Sequence, residues 1–369
     1  MIYHILIDRF NGGWTTPPEN SSGFIGGTIN GIMEKLDYIQ SLGATHIWIS
    51  PFFENADDGY HGYHTISYEM IDPHFGTWED LERLIQRAHK KGLKIIADFV
   101  PNHCHINHPF FQEALCNSES PYRNWFYFKN QSNEYVSFLE YSNLAKFNLD
   151  NPDTAEYMIR VGERLTNLGI DGFRIDHALG ISFSFLRNFR DRMHQLNPET
   201  IVFGEVWPSG IGRNLFYTLR FKSIWHKFLY RLCGINQELI QRDYEGILDG
   251  VLDFKFRELL IKELQKGHRL INNATLEKQL KRHFAYYSSR SFKPYLFVDN
   301  HDTNRFLYYC NGDQTLLDEA LTLMRNTGLE YIVYYGTECG MRNTETIENA
   351  EPYADRRVRE PMNWSIKHP

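Results

Sequence analysis

What this 369-residue chain has little of already narrows its chemistry. It carries five cysteines, Cys104, Cys116, Cys233, Cys310 and Cys339, an odd number with no CxxC pair and no Cys/His metal spacing. That pattern argues against a disulfide framework and makes a reducing compartment the default. No apolar run approaches the ~20 residues needed to span a bilayer. Charge of one sign is never concentrated: Lys+Arg of 39 against Asp+Glu of 46 gives a net −7 spread along the chain, which points away from nucleic acid and from anionic membranes as partners. The first residues, Met1 to Ile7, are apolar but lack a basic n-region and a small-residue cleavage site, and they run straight into Asp8-Arg9-Phe10. They read as a strand rather than a secretory signal. The expected location is cytoplasmic, with export left open for a chain whose leader has been removed. Repeats and low-complexity tracts are missing, and nothing bears on oligomeric state.

At 42% hydrophobic, a chain of this length buries a large core and exceeds the usual single compact domain, so one big barrel or two domains would fit. Short runs rich in Val, Ile, Tyr and Phe alternate with longer stretches of helical period, the pattern of βα units that feed a parallel sheet. Eight such runs occur: Ile2 to Ile7, Thr45 to Ser50, Lys94 to Phe99, Gly172 to Asp176, Ile201 to Glu205, Gly250 to Phe254, Tyr295 to Asp299 and Tyr331 to Tyr335. Eight parallel strands with intervening helices close into a TIM (β/α)8 barrel, whose reactive groups sit at the C-terminal strand ends.

The helices between the runs carry their own signals. Thr77-Trp-Glu-Asp80 has the spacing of a capping box, and Trp78, Leu81, Leu84, Ile85 and Ala88 then share one face before Gly92. Asn151 with Pro152 reads as a helix start, Ala155, Met158, Ile159 and Leu165 as its buried side, and Gly169 as its end. The rhythm breaks once: the segment 102–150 is too long for an ordinary βα loop and is expected to form a small inserted domain, with residues 1–101 and 151–369 making the barrel. After Gly336 the sequence turns irregular and polar, includes Asp355-Arg-Arg-Val-Arg359-Glu-Pro-Met-Asn-Trp364, and shows no eighth outer helix. The outer ring is therefore expected to be incomplete on its C-terminal side.

Four run ends carry polar clusters where an apolar core should stop: Asp98-Phe-Val-Pro-Asn102-His103, Gly172-Phe-Arg174-Ile-Asp176-His177, Gly204-Glu205-Val-Trp207 and Val298-Asp299-Asn300-His301-Asp302. Charges there are costly unless partnered, so their convergence on one rim suggests a site. In this order, on the third, fourth, fifth and seventh strands, the segments resemble the conserved regions of the α-amylase superfamily of glycoside hydrolases (glycoside hydrolase family 13). Ile7-Asp-Arg-Phe10, Tyr60-His-Gly-Tyr63, Ile71-Asp-Pro-His-Phe-Gly-Thr77 and Val333-Tyr-Tyr-Gly336 extend the likeness along nearly the whole chain. The inserted segment then resembles the family's domain B.

The resemblance implies a retaining α-glucan hydrolase acting on α-1,4 bonds of starch or maltooligosaccharides. Its chemistry needs an acid to protonate the leaving oxygen and an anion to trap the oxocarbenium-like carbon, with the two carboxyls ~5–5.5 Å apart. By correspondence Asp176 is the nucleophile, Glu205 the acid/base and Asp302 the third acid that grips the distorted sugar. Arg174, two residues before Asp176 on the same strand face, is expected to hold it ionised, while Glu205 is expected to carry a raised pKa. His103 and His301 resemble the histidines that bond the same sugar, Tyr63 its aromatic platform, and Asp98 a residue that orients the cluster; Trp207, two residues beyond Glu205, is placed to line the leaving-group side or else to serve as core.

Plainer readings compete. Taken alone, Asp176 with Arg174 reads equally well as a structural ion pair, and the three accompanying segments tip the balance toward catalysis. His103, His105 and His108 lack the spacing of a helical zinc pair, so His105 and His108 read as structural or surface residues. No cofactor is implied for the chemistry. A structural calcium remains open: in the family it draws on residues matching Asn102 and Asn148 and on a carbonyl matching Gly180, but the run Asp176-His-Ala-Leu-Gly180 departs from the family there. Leu144-Ala-Lys-Phe-Asn148 resembles the neopullulanase and cyclomaltodextrinase branch, although that branch's N-terminal β domain and the family's C-terminal β-sandwich lie outside this sequence. A transglycosylase or sugar isomerase using the same intermediate, or a non-catalytic carbohydrate-binding relative, are the alternatives.

Overall fold

Each of the eight apolar runs becomes one strand of a closed, all-parallel ring: β1 (Ile2–Ile5), β2 (His46–Ile49), β3 (Lys94–Phe99), β4 (Gly172–Ile175), β5 (Ile201–Gly204), β6 (Gly250–Asp253), β7 (Lys293–Phe297) and β8 (Tyr331–Tyr334). This computed structural model describes residues 1–129, 133–139, 141–209, 236–287, 291–348 and 353–365, so Cys233 lies outside the described residues. β1 pairs with both β2 and β8, which closes the barrel. The expected (β/α)8 architecture is present, and the strands end one or two residues before most of the expected limits, with the polar clusters of β4, β5 and β7 leaving the ladder to form the rim.

Strand periodicity of two then decides what faces inward. Ile2, Trp48, Ile96, Phe203, Leu252, Tyr295, Phe297 and Ile332 form a separate apolar cluster that fills the barrel interior. Two positions further along the same faces stand His4, Asp98 and Glu205. On β4 the inward positions are Gly172, Arg174 and then Asp176 at the strand's end, and register sets Arg174 opposite both Asp98 and Phe203. A side chain at Gly172 would not fit, since its Cβ would lie 2.9 Å from the Ile201 carbonyl oxygen and 3.2 Å from Ile96 Cγ1. The charged layer is thus the first turn of the same alternation above a solid apolar floor.

A larger apolar cluster packs the outer strand faces against the helices. In the helix Trp78–Lys90, Leu81, Leu84, Ile85 and Ala88 are buried, and full burial of each of the larger three contributes ~1.5–3 kcal/mol. Its start is the expected capping box: the Asp80 N–H donates to Thr77 Oγ1 (3.2 Å) and the Thr77 N–H to Asp80 Oδ2 (2.9 Å). The helix Pro152–Leu168 begins with Asn151 Oδ1 accepting from the Asp153 and Thr154 N–H groups and ends at Gly169, whose φ of 109° is left-handed.

Within 102–150, the strands His103–His105, Ser137–Phe138 and Tyr141–Lys146 form a small antiparallel sheet, order outer, outer and central respectively. His108 caps the helix Pro109–Cys116 by accepting from the Phe110 N–H, and His105 Nδ1 accepts from the Asn107 N–H, so both serve local structure. An antiparallel pair, Phe53–Asn55 with Thr65–Ile71, was not expected, because the second strand's buried positions do not alternate cleanly. It flanks the loop that carries Tyr63. No α-helix follows β8 among the described residues, only 3-10 turns at Thr337–Cys339 and Ala354–Val358. That last segment is nonetheless pinned across the barrel mouth: the Met362 N–H donates to Arg9 O (2.7 Å), Trp364 Nε1 to Phe10 O (2.9 Å) and the Tyr334 hydroxyl to Val358 O (3.2 Å). Among the described residues, no helix is long and apolar enough to cross a membrane.

Because Thr77 and Asp80 satisfy each other's backbone donors, Thr77→Ala is expected to cost ~1 kcal/mol, read as a fall of roughly 1–2 °C in melting temperature, with activity unchanged. An unaltered melting temperature would mean that Asp80 alone carries the cap.

Candidate active site

Arg174 is the hub. Its guanidinium is buried, its Nη1 donates to Asp98 Oδ1 (2.9 Å) and Asp176 Oδ1 (2.8 Å), and its Nη2 lies 3.0 Å from Glu205 Oε2. The strands deliver these groups through ordinary ladder bonds, with the Asp176 N–H on Phe99 O (2.8 Å) and the Glu205 N–H on Ile175 O (3.0 Å). Asp98 also accepts from Trp48 Nε1 (3.1 Å) and the Tyr63 hydroxyl (2.7 Å) on its second oxygen. It therefore fixes Arg174 from below while Asp176 and Glu205 face the opening.

A second ion-pair set stands on β7's side of the rim. His301 Nε2 lies 2.9 Å from the Tyr63 hydroxyl and 3.0 Å from Asp302 Oδ2, and its ring stacks on that of Tyr63 with centroids 5.2 Å apart. Arg359, from the C-terminal segment, donates through Nη2 to Asp302 Oδ1 (3.0 Å), through Nε to His301 O (2.9 Å), and also pairs with Asp355. His103, on the inserted segment, stacks on Phe138 with centroids 4.4 Å apart, and its buried Nε2 has no partner among the described residues. Trp207 stacks on Phe254 (4.3 Å, nearly parallel) at the end of β5 and β6, beside the barrel interior. The structure so gathers Asp98, Arg174, Asp176, Glu205, Tyr63, His301 and Asp302 into one bonded network. Asn102 and Asn148 are not joined in this way: Asn102 Oδ1 accepts from Lys146 Nζ, while the Asn148 amide donates to Asn124 O (3.0 Å).

Electrostatics within the network departs from the expectation at one point. Arg174 does contact Asp176, but burial pushes the Asp176 carboxyl well above its ordinary range, with Arg174 pulling down and the Glu205 and Asp98 charges pushing up. Glu205 is likewise raised, by burial first and by Asp302, against Arg174 and the bond it accepts from the His177 N–H (3.0 Å). Asp98 is raised by burial too. One guanidinium cannot neutralise three buried carboxylates, so the trio keeps a proton to higher pH than any of them would in water. Asp302 behaves oppositely: burial disfavours its anion, but His301 and Arg359 outweigh that and hold it well below the usual carboxylate range. His103 is lowered to about 3 by burial, with His64 and Lys146 adding to it, and is a neutral imidazole at ordinary pH.

Four contributors escaped the sequence reading. His4 is buried, stacks on Trp48 (3.6 Å, nearly parallel) and meets His301 edge-on, and burial with the His301 and Arg174 charges keeps it neutral. Both His4 and Trp48 were accessible from the two-residue alternation of β1 and β2. Phe138 has no such signal, because its position depends on the inserted sheet. Arg359 stands in a segment whose sequence is irregular, and only the tertiary pinning brings it to Asp302.

The alpha-amylase catalytic-domain model matches residues 5–368. The chain belongs to the alpha-amylase family. Among family relatives, alpha-amylase 2 of Dictyoglomus thermophilum is 33% identical over 368 residues, covering 99% of this chain and 59% of that protein. The cyclomaltodextrinase of Thermoanaerobacter pseudethanolicus is 31% identical over 363 residues, covering 92% of this chain and 57% of its own. The chain thus spans less than two thirds of the length of these relatives. The crystal structure of the alpha-amylase from Geobacillus thermoleovorans complexed with acarbose superposes with a TM-score of 0.77 at 26% identity, covering 99% of this chain and 74% of that one.

A carboxyl whose folded pKa is raised binds its proton more tightly folded than unfolded. Stability is then fully present below the unfolded value and is lost as pH rises through the folded one. Asp176→Asn and Glu205→Gln remove that loss while leaving Arg174 two carboxylates, so both variants should melt above the unaltered protein at about pH 7 and near it at about pH 4. Calorimetric scans at the two pH values decide it; variants that melt lower at neutral pH would show that Arg174 outweighs burial.

Proposed function

We propose that this chain is a retaining α-glucan hydrolase that cleaves α-1,4-glucosidic bonds of starch or maltooligosaccharides by double displacement. The observation that carries this reading is the bridging of Asp176 and Glu205 by the two terminal nitrogens of one guanidinium, which supports the short carboxyl separation of ~5–5.5 Å that retention requires rather than the ~6.5–9.5 Å of inverting enzymes. Relatives named as alpha-amylase and cyclomaltodextrinase supply the substrate class.

In this mechanism a glucosyl residue sits over Tyr63, with His103 Nε2 and His301 directed at its hydroxyls. The glycosidic oxygen accepts a hydrogen bond from Glu205 only when Glu205 is protonated, so substrate draws the trio's shared proton onto it and leaves Asp176 anionic beside Arg174. Asp176 attacks the anomeric carbon as Glu205 gives its proton to the departing oxygen, forming a glycosyl ester. Water then gives a proton to Glu205 as its oxygen attacks the anomeric carbon and breaks the ester bond, which frees the Asp176 carboxylate and restores the original anomeric configuration. Asp302, already anionic, holds hydroxyls of the distorted ring, and Trp207 lines the leaving-group side. Segment 102–150 acts as domain B, closing over the barrel formed by residues 1–101 and 151–369.

Chromatographic product profiles over starch, pullulan, cyclodextrin, maltotriose, isomaltose and trehalose test the substrate. Reducing-end release from starch or maltotriose is expected; isomerised or lengthened sugars without new reducing ends would assign a transferase or isomerase instead. NMR of the first-formed anomer should show α product, and β product would exclude double displacement. Asp176→Asn and Glu205→Gln should each lower turnover by roughly 10²–10⁴-fold while still binding maltooligosaccharide. Binding with no turnover by the unaltered protein would instead support a carbohydrate-binding role.

A further inference from the structure

The junction between the inserted segment and the barrel holds a buried cation of the chain's own. Lys146 ends the strand Tyr141–Lys146, pairs in register with His103, and is only 5% exposed. Its Nζ donates to Asn102 Oδ1 and to Gly180 O (2.9 Å). These are two of the oxygens that the family resemblance would offer to a calcium ion. Such an ion takes 6–8 oxygen ligands at ~2.3–2.6 Å, and it cannot share those oxygens with an ammonium group placed between them. Asn148, the third residue, donates its amide nitrogen to Asn124 O, and its buried Oδ1, which has no partner among the described residues, is one oxygen where a calcium ion needs at least six. Among the described residues, no cluster of three His, Cys, Asp or Glu side chains offers another place. The residues present therefore do not fit the metal.

What the ammonium holds is close to the chemistry. Gly180 closes the 3-10 turn Ala178–Gly180, and there is no room for a side chain on it, since a Cβ would lie 2.6 Å from His177 Cδ2 and 3.0 Å from Asn102 Oδ1. His177 is in turn left-handed, with φ of 42°, a conformation that costs a non-glycine residue on the order of 1–3 kcal/mol and persists only where neighbours impose it. That conformation aims the His177 N–H at Glu205 Oε2 (3.0 Å). We propose that Lys146 is a positioning residue whose ammonium replaces a structural divalent cation, locking the 177–180 turn and the His103 strand onto the barrel so that the site is held without metal.

Lys146, Phe147, Gly180 and Ser182 line a shallow crevice that opens to solvent, so shortening the lysine side chain leaves its vacated ammonium position within reach of a small amine and makes chemical rescue practicable. Melting temperature and starch hydrolysis of the unaltered chain should be the same after exhaustive EDTA dialysis and after addition of calcium chloride. Lys146→Met should lower the rate about tenfold or more, equivalent to ~1.4 kcal/mol of lost transition-state stabilisation, and should lower the melting temperature. Lys146→Ala should recover part of both with ethylammonium chloride but not with sodium chloride of equal ionic strength. A fall in melting temperature of the unaltered chain in EDTA, reversed by calcium, overturns the proposal, as does a Lys146→Met protein with native rate and melting temperature. If the lysine variants do not fold, the chelation measurement on the unaltered chain still decides. Only the rate measurements rest on the hydrolase reading; melting does not, so failure of the one is distinguishable from failure of the other.

Discussion

Everything at the top of this barrel depends on one buried guanidinium shared among three carboxyl groups. Removing a partner from a buried ion pair typically costs ~3–5 kcal/mol because the remaining charge is stranded, and here the stranded charges would be several. Arg174 therefore organises the site at a cost in charge balance: it contacts Asp98, Asp176 and Glu205 but can neutralise only one of them. The imbalance is itself useful chemistry. A cluster with too few cations retains a mobile proton, which is what the acid/base step of the proposed mechanism calls on.

The division of labour among the acids follows from their surroundings rather than from their type. Asp176 and Glu205 sit on the apolar floor and are pushed up by burial, whereas Asp302 is flanked by His301 and Arg359 and is pushed down. Asp98 accepts from Trp48, Tyr63 and Arg174 and so behaves as a fixed anchor beneath the others. Four carboxyl groups at the ends of β3, β4, β5 and β7 thus acquire distinct protonation behaviour from burial and from which cations reach them.

Much of this was legible before the structure. The eight strands, the capping box at Thr77, the Asn151–Gly169 helix and the convergence of Asp98, Arg174, Asp176, Glu205 and Asp302 all follow from periodicities and local signals that survive folding unchanged. What was not legible depended on distance. The charge state of Asp176 could not be read from its spacing to Arg174, because Glu205 and Asp98 compete for the same cation from other strands. Arg359 reaches Asp302 only because Met362 and Trp364 bond back to Arg9 and Phe10, and Lys146 meets Gly180 only because the inserted sheet folds over the 177–180 turn. Sequence spacing reports on neighbours along one strand, and it is silent where a side chain is claimed by several elements at once.

The filled interior of the barrel has a further consequence. With Ile2, Trp48, Phe203, Leu252, Tyr295, Phe297 and Ile332 all buried beneath the carboxyl groups, and His4 lying flat on Trp48, the pocket is a blind well rather than a passage. Traffic has one direction in and the same direction out, so any extended ligand is obliged to lie across the mouth or dip one end into it. The loops around that mouth, including the pinned C-terminal segment, then set what shape of ligand reaches the floor.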